Sequence, residues 1–198
     1  MDVDFWFEFG STYSYPAAMR IEELAADRGV RVSWRAFLLG PIFQEQGWDD
    51  SPFNLFPSKG RYMWRDLERV CTAHHIPFHR PSDFPRSGLL AARIASRFAD
   101  APWLPDFVRA VYRANFELDL DISAPAVVTQ CLDPLVADPD ALLEEAQSIE
   151  SKKQLRIQTE EAVRLGIFGA PSFVVGRELF WGSDRLEEAL SWAVEHPA

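Results

Sequence analysis

The start of the chain most constrains its fold, because a hydrophobic strand passes through a short hydroxyl-rich turn into a helix. Residues 7–20 read FEFGSTYSYPAAMR. The apolar run predicts a buried strand over residues 2–9, and the helical spacing after it predicts a helix over 13–28 that Gly29 ends. A second strand is predicted over 30–37. This order is a β-α-β unit, whose two strands should be parallel.

The middle of the chain predicts helices rather than strands. From Gly40 to about Ile122, prolines interrupt a loop-rich and helical stretch, and helical spacing continues beyond it without a strand pattern. The predicted helices span residues 58–75, 87–99, 103–117, 124–132, 139–148 and 151–165. We therefore expect a helical insertion between two α/β segments.

The last segment returns to an α/β pattern. Strands are predicted over 172–175 and 178–181, and the Gly176-Arg177 pair between them is typical of a hairpin turn. Gly182-Ser183-Asp184 then opens a final helix. The segment therefore supplies two antiparallel strands and a closing helix.

The complete order, β-α-β followed by a helical insert and α-β-β-α, is that of a thioredoxin fold. The sequence thus predicts an α/β thioredoxin fold with a large helical insertion. Residues 1–39 and 160–198 form the expected thioredoxin-like domain, and residues 40–159 form the inserted helical domain. A chain of 198 residues is long enough to bury a sizeable core in such an arrangement.

Composition and charge limit the classes of partner that the chain can bind. The formal net charge of −10 argues against nucleic acid and anionic membrane surfaces, which both need clustered Lys and Arg. The acidic start MDVDFWFEF does not resemble a secretory signal, and no apolar run approaches the roughly 18 residues of a membrane helix. Cys71 and Cys131 form neither a C-x-x-C motif nor a metal-binding pattern. We expect a cytoplasmic protein with reduced thiols and no metal site.

The turn after the first strand is where thioredoxin folds carry out thiol chemistry. The N-terminus of the following helix presents free N–H groups and a partial positive charge, which stabilise an anion such as a thiolate. Redox proteins often keep two cysteines there, whereas this chain has Ser11 and Ser14 at that spacing. Ser11 cannot form a disulfide but can donate one hydrogen bond to the thiolate of a ligand. The alternative is that Ser11 and Thr12 only cap the helix.

Two further stretches belong to the same expected site. In GIFGAPSFVVG, residues 166–176, Pro171 begins a strand at the place where thioredoxin folds carry a cis-proline facing the turn. With a cis bond, the backbone of Ala170 would pair with an extended ligand. In FWGSDRL, residues 180–186, Ser183 and Asp184 either cap the last helix or hold the charged end of a ligand.

The chain resembles the 2-hydroxychromene-2-carboxylate isomerase family, which is related to kappa-class glutathione transferases within the disulfide-oxidoreductase branch of thioredoxin folds. The resemblance runs along essentially the whole chain. The stretches that carry it are DFWFEFGSTYSYPA, KGRYMWRDLER, LDIS, GIFGAPSFVVG and FWGSDRL.

The resemblance implies a glutathione site. It places Ser11 beside the sulfur, with Thr12 and Tyr13 completing that contact. The Ala170-Pro171 backbone would pair with glutathione. The γ-glutamyl end would be held by Ser183 and Asp184. It also implies a homodimer.

The stretch LLGPIFQEQGWDD departs from the family pattern. Many relatives place a Lys and then a Gly-Asn pair there, to reach substrate and glutathione. Here Gln44 lies near the Lys position and Trp48 stands where Asn would be. Asn54 and Lys59 are the residues that could substitute.

These features together predict a glutathione-dependent cis-trans isomerase of a small unsaturated aromatic acid, with the glutathione thiolate as a transient nucleophile. The alternatives are a kappa-type glutathione transferase or peroxidase, and a non-catalytic module that binds glutathione or a peptide. The missing C-x-x-C argues against a thiol-disulfide oxidoreductase.

Some aromatic side chains either line an aromatic substrate site or pack in the core. These are Trp6, Trp34, Phe37, Trp64, Trp103 and Trp181.

Overall fold

The structure of the chain, a computed structural model, describes residues 1–196 and is built on one four-stranded sheet. The strands are β1 (Asp2–Phe7), β2 (Arg31–Ala36), β3 (Ser172–Val175) and β4 (Glu178–Trp181), in the spatial order β2-β1-β3-β4. Strands β1 and β2 are parallel, which confirms the β-α-β unit. Strands β3 and β4 are antiparallel neighbours, which confirms the hairpin.

Helices account for most of the remaining chain. They are α1 (Ser14–Ala26), α2 (Leu39–Glu45), α3 (Pro52–Leu55), α4 (Pro57–Ala73), α5 (Leu89–Arg97), α6 (Leu104–Phe116), α7 (Pro125–Leu132), α8 (Pro139–Ala146), α9 (Ile149–Arg164) and α10 (Leu186–Glu195). A single 3₁₀ turn, Ser183–Arg185, leads into α10. The thioredoxin fold with its helical insertion is therefore confirmed. The sequence did not predict α2 and α3, which are short and lie in the proline-interrupted stretch.

Two apolar clusters cover the two faces of the sheet. The side chains of β1 alternate, so Phe5 and Phe7 enter the main core while Trp6 enters a smaller cluster with Phe37. Helices α1 and α10 pack together beside β1 and β3 on the main side. Most of the aromatic residues singled out in the sequence are core residues; those that are buried are Trp6, Trp34, Phe37 and Trp64.

The predicted division into two domains stays a prediction. Helix α9 crosses its boundary at residues 159 and 160. The main core also mixes the two parts, since Phe5 and Phe7 of β1 share it with Phe107 and Tyr112 of α6.

Strand pairing determines where the site forms. Trp6, near the end of β1, pairs with Ser172 at the start of β3, and Ser172 also pairs with Trp181 at the end of β4. The turn after β1, the Ala170-Pro171 bond and Gly182 must therefore meet at one edge of the sheet. Within residues 1–196, no helix is both long enough and apolar enough to cross a membrane.

Candidate functional site

A cleft of about 670 Å³ opens at this edge of the sheet. It lies within the size range of small-molecule sites. Four parts of the chain form its wall: the turn after β1, the segment from α2 to α4, the loop before α5, and the loops that adjoin β3 and β4. Residues that are distant in sequence therefore meet in one concave surface.

Ser11 links the turn after β1 to the Ala170-Pro171 segment, the first two parts of the expected site. Its hydroxyl donates a 2.9 Å hydrogen bond to the carbonyl oxygen of Ala170. Both residues line the cleft. The Ala170-Pro171 peptide bond is cis, and Pro171 itself is buried outside the cleft lining.

The N-terminus of α1 has no side-chain cap. Tyr13 occupies the N-cap position without a capping hydrogen bond. The Thr12 hydroxyl donates to the sulfur of Met63 at 3.1 Å, and the Ser11 hydroxyl is bound to Ala170. Capping is therefore not what these hydroxyls do. Among residues 1–196, the backbone N–H groups of Thr12 and Tyr13 have no hydrogen-bond partner, so they and the helix dipole form a potential anion site.

Tyr13 contributes its ring rather than its hydroxyl to the cleft. The phenol donates a 2.9 Å hydrogen bond to Asp66. Burial, followed by this hydrogen bond, raises the pKa of Tyr13. The ring lies 6.4 Å from the ring of Phe53, centre to centre, and both residues line the cleft. Tyr13 thus remains protonated and forms part of an aromatic wall.

Ser183 and Asp184 lie next to the cleft, not in its lining. Gly182 lines it, while Ser183 and Asp184 lie in the 3₁₀ turn that follows. Neither that turn nor α10 has a side-chain cap. The Asp184 carboxylate is exposed and lies 3.6 Å from the guanidinium of Arg185. A ligand that filled the cleft would have to extend past Gly182 to meet these side chains.

The substrate-binding residues expected from the sequence separate into two groups. Gln44, Trp48 and Lys59 line the cleft, but Asn54 does not. The amide nitrogen of Asn54 donates instead to the two carboxylate oxygens of Asp50, at 3.2 and 3.1 Å. The predicted contact of Asn54 with a ligand therefore stays a prediction, and its side chain would have to leave Asp50 to make it.

Lys59 is an exposed cation at the cleft wall. Its ammonium nitrogen lies 4.5 Å from the centre of the Phe56 ring. In the part of the chain that the structure describes, no carboxylate oxygen lies within 4.0 Å of it. Trp48 packs on Phe43 nearby, with ring centres 5.8 Å apart. A cation beside apolar rings suits an aromatic ligand that carries a negative charge.

Glu8 is a cleft residue that sequence reasoning missed. Its carboxylate accepts a 2.9 Å hydrogen bond from the N–H of Gly10. Burial raises the pKa of Glu8 to about 7, although the N–H groups of Gly10 and Ser11 act in the opposite direction. The signal available in the sequence was an acid between two phenylalanines, in FEF.

An aromatic pair that was not recognised from the sequence lies where the loop before β3 meets the end of β4. Phe168 and Trp181 lie with ring centres 4.8 Å apart, and both line the cleft. Trp181 was one of the aromatic candidates, but Phe168 had no distinguishing pattern.

The two cysteines take no part in the cleft. Cys71 and Cys131 are buried, and burial raises their pKa values to about 12 and about 11. Across residues 1–196, no group of three or more His, Cys, Asp or Glu residues is arranged to hold a metal ion.

Comparison with known proteins gives matches over most of the chain. The family model described as DSBA-like thioredoxin domain matches residues 2–191. A 2-hydroxychromene-2-carboxylate isomerase from Sphingobium xenophagum is 29% identical over 195 residues, 98% of each chain. Glutathione S-transferase kappa 2 from Caenorhabditis elegans is 29% identical over 210 residues, 98% of this chain and 92% of that protein.

A solved structure of a 2-hydroxychromene-2-carboxylate isomerase aligns with a TM-score of 0.84 at 26% identity. The alignment covers 96% of this chain and 93% of that one. The resemblance inferred from the sequence motifs is thereby confirmed.

Proposed function

This chain belongs to the DSBA-like thioredoxin domain family, and on that premise we propose that it is a glutathione-dependent isomerase of a small unsaturated aromatic acid. The observation that carries the proposal is the uncapped N-terminus of α1 beside Ser11, in a cleft without a cysteine. That arrangement keeps the anion site of the fold and removes its disulfide chemistry. The nucleophile would then arrive with the ligand. Relatives named as isomerases and as a glutathione transferase support the same assignment.

The polar groups of the cleft are suited to binding glutathione. When bound, glutathione supplies a thiol that can act as a nucleophile. The N–H groups of Thr12 and Tyr13 would stabilise its anionic sulfur, together with the dipole of α1. The Ser11 hydroxyl and the Ala170 carbonyl satisfy each other in the free protein. A peptide-like thiol can replace both partners of that hydrogen bond. Its anionic sulfur would accept from the Ser11 hydroxyl, and its amide N–H would donate to the Ala170 carbonyl.

The substrate would occupy the aromatic side of the cleft. Phe43, Trp48 and Phe53 provide apolar walls, and Lys59 provides a cation for a carboxylate. Gln44 lies in the same wall and adds a neutral hydrogen-bonding group. This set of residues orients an aromatic acid and leaves the reacting double bond to face Ser11.

The first experiment is calorimetric titration with reduced glutathione, with S-methylglutathione as the control. We expect saturable binding of reduced glutathione that is tighter than binding of the control, because only the free thiol can place an anionic sulfur at the Ser11 turn. Isomerisation of 2-hydroxychromene-2-carboxylate in the presence of glutathione is then the activity test. Transfer of glutathione to an electrophile without isomerisation would favour the kappa-type transferase, whose named relative is equally similar. Binding without any turnover would favour a binding module.

Ser11→Ala should weaken thiolate formation about tenfold, because one hydrogen bond to a charged sulfur is worth about 1.4 kcal/mol. The measurement is the pKa of bound glutathione, followed by the ultraviolet absorbance of the thiolate. Ser191→Ala, an exposed position on α10, is the matched control. An unchanged pKa in Ser11→Ala would remove Ser11 from the assigned role.

Two finer parts of the proposal are a homodimeric assembly, which the resemblance implies, and a cytoplasmic location, which the sequence predicts and where glutathione is abundant. Sedimentation of the purified protein tests the first, and fractionation of cells that express it tests the second.

A further inference from the structure

The Glu8 carboxyl is a titratable group of the cleft to which the proposed function gives no task. Glu8 follows the last residue of β1 and precedes Ser11 by three positions. Its side chain is half-buried and lines the same cleft as Ser11. An acid in that position needs an explanation, because burial of a carboxylate costs free energy unless a cation pairs with it.

The backbone of the turn fixes the position of this carboxyl. The Gly10 N–H donates to a Glu8 carboxylate oxygen at 2.9 Å. The Glu8 carbonyl accepts hydrogen bonds from the Ser11 N–H at 3.0 Å and from the Tyr112 hydroxyl at 2.8 Å. A Cβ built at Gly10 would lie only 3.1 Å from the same carboxylate oxygen. The carboxyl therefore lies directly against the turn that holds Ser11.

No cation offsets a charge on Glu8. Among residues 1–196, no Lys, Arg or His nitrogen lies within 4.0 Å of its carboxylate. Arg86 also lines the cleft, but its guanidinium is turned to Asp119, at 2.5 Å. Lys59 lines the cleft from α4 without reaching Glu8.

The other polar groups around Glu8 do not favour its ionised form. Burial raises the pKa of Tyr112, so its phenol stays neutral and is occupied by the Glu8 carbonyl. Asp49 and Asp50 line the cleft from the segment between α2 and α3, but neither is among the groups that shift the pKa of Glu8. Because burial raises its pKa to about 7, Glu8 exchanges its proton near neutral pH. An anion placed at the Ser11 turn would repel a charge on Glu8 and favour its protonated form further.

We propose that Glu8 takes the proton that a thiol loses when it binds at the Ser11 turn, and returns that proton when the thiol leaves. The S–H bond breaks with its electron pair left on sulfur, and the proton forms an O–H bond with the Glu8 carboxylate. Release reverses both changes, so no other reactant is needed. The turn then holds one negative charge in either state. This inference rests on the proposed function, since it takes the thiol to be that of glutathione.

The test counts the protons exchanged with solvent when reduced glutathione binds. Calorimetric titrations at about pH 7.5, in buffers of different ionisation enthalpy, give that number. In the wild-type protein we expect close to zero protons released, because Glu8 keeps the thiol proton. In Glu8→Gln we expect close to one, because the amide cannot hold it. Thiolate absorbance in the same samples reports that the sulfur is ionised in both proteins.

Asp49→Asn is the matched control, because it removes one negative charge from the same cleft. It should release as few protons as the wild-type protein. Equal proton release in the wild type and Glu8→Gln would overturn the inference, as would loss of thiolate absorbance in Glu8→Gln. Absence of glutathione binding to the wild-type protein is a different result, which would contradict the proposed function itself.

A second measurement needs no variant. Infrared difference spectra of the wild-type protein should gain the C=O band of a protonated carboxyl group when reduced glutathione is added at about pH 8, above the pKa of Glu8. S-methylglutathione has no thiol proton and should not produce the band. The same band with both ligands, or with neither while the sulfur is ionised, contradicts proton transfer to Glu8.

Discussion

At the level of single residues, Glu8 should make the stability of the free protein depend on pH. Its pKa is about 7 in the folded chain, against an ordinary value of 4.5. Below pH 4.5 the carboxyl is protonated whether the chain is folded or not. Between these values the unfolded chain has lost the proton and the folded chain has kept it. Stability therefore falls as the pH rises through this window, and the full cost is present above pH 7.

Glu8→Gln should remove this cost. We expect the variant to be more stable than the wild type by about 3 kcal/mol above pH 7, because the shift corresponds to a free energy of that order. Near pH 4 the two proteins should be equally stable. Urea unfolding at both pH values gives the comparison. A difference that is the same at both pH values would mean that the amide acts through packing and not through charge.

Among the secondary-structure elements, those with a strong local pattern could be predicted and those set by tertiary contacts could not. The alternation and turn residues of the β3-β4 hairpin gave its bounds correctly. Helices α2 and α3 were missed because seven and four residues carry too little periodicity, and each has a proline in its first turn. They form part of the cleft wall, in a stretch for which the sequence predicts loops.

The same distinction applies to the residues of the cleft. Ser11 and Ala170 could be expected to meet, because the fold brings the turn and the start of β3 together. The FEF pattern could have drawn attention to Glu8, but its raised pKa could not be predicted from sequence, because it depends on burial. The position of Asn54 depends on Asp50, a local partner that the comparison with family motifs did not consider.

The contact between α3 and α4 offers a test of that cleft wall. Gly60, in α4, approaches α3 so closely that a Cβ there would lie 2.3 Å from the carbonyl oxygen of Phe53. Gly60→Ala should therefore displace α3, with the cleft residue Phe53, and destabilise the protein by about 1–3 kcal/mol. Chemical unfolding measures the loss, and glutathione titration measures the effect on the cleft.

Gly40→Ala is the control for this substitution. Gly40 lies in α2, and a Cβ there meets no atom of residues 1–196 within 4 Å. It should leave stability unchanged or raise it by up to about 1 kcal/mol, since alanine favours a helix more than glycine does. If Gly60→Ala behaved like Gly40→Ala, α3 and α4 would have room to separate without cost, and the cleft wall would be less rigid than its packing indicates.

For the molecule as a whole, the cleft joins segments from both ends of the sequence. The turn at residues 8–13 lies against the loop at 168–170, and the wall from α2 to α4 faces them both. A ligand that contacts all three parts binds only the folded chain, so its binding free energy adds to the free energy of unfolding. At one hundred times its dissociation constant, such a ligand contributes about 2.7 kcal/mol.

Reduced glutathione at that concentration should therefore raise the melting temperature by about 5–10 °C, given about 2–4 °C per kcal/mol for a chain of this size. Differential scanning calorimetry measures the shift. At the same concentration, S-methylglutathione should give a smaller one, because it binds without an anionic sulfur at the Ser11 turn. Ser11→Ala should reduce the difference between the two ligands, since the hydroxyl is one of the groups that distinguish them. Equal shifts with both ligands in the wild-type protein would mean that the cleft binds the peptide and not the thiolate, which leaves the proposed chemistry without its nucleophile.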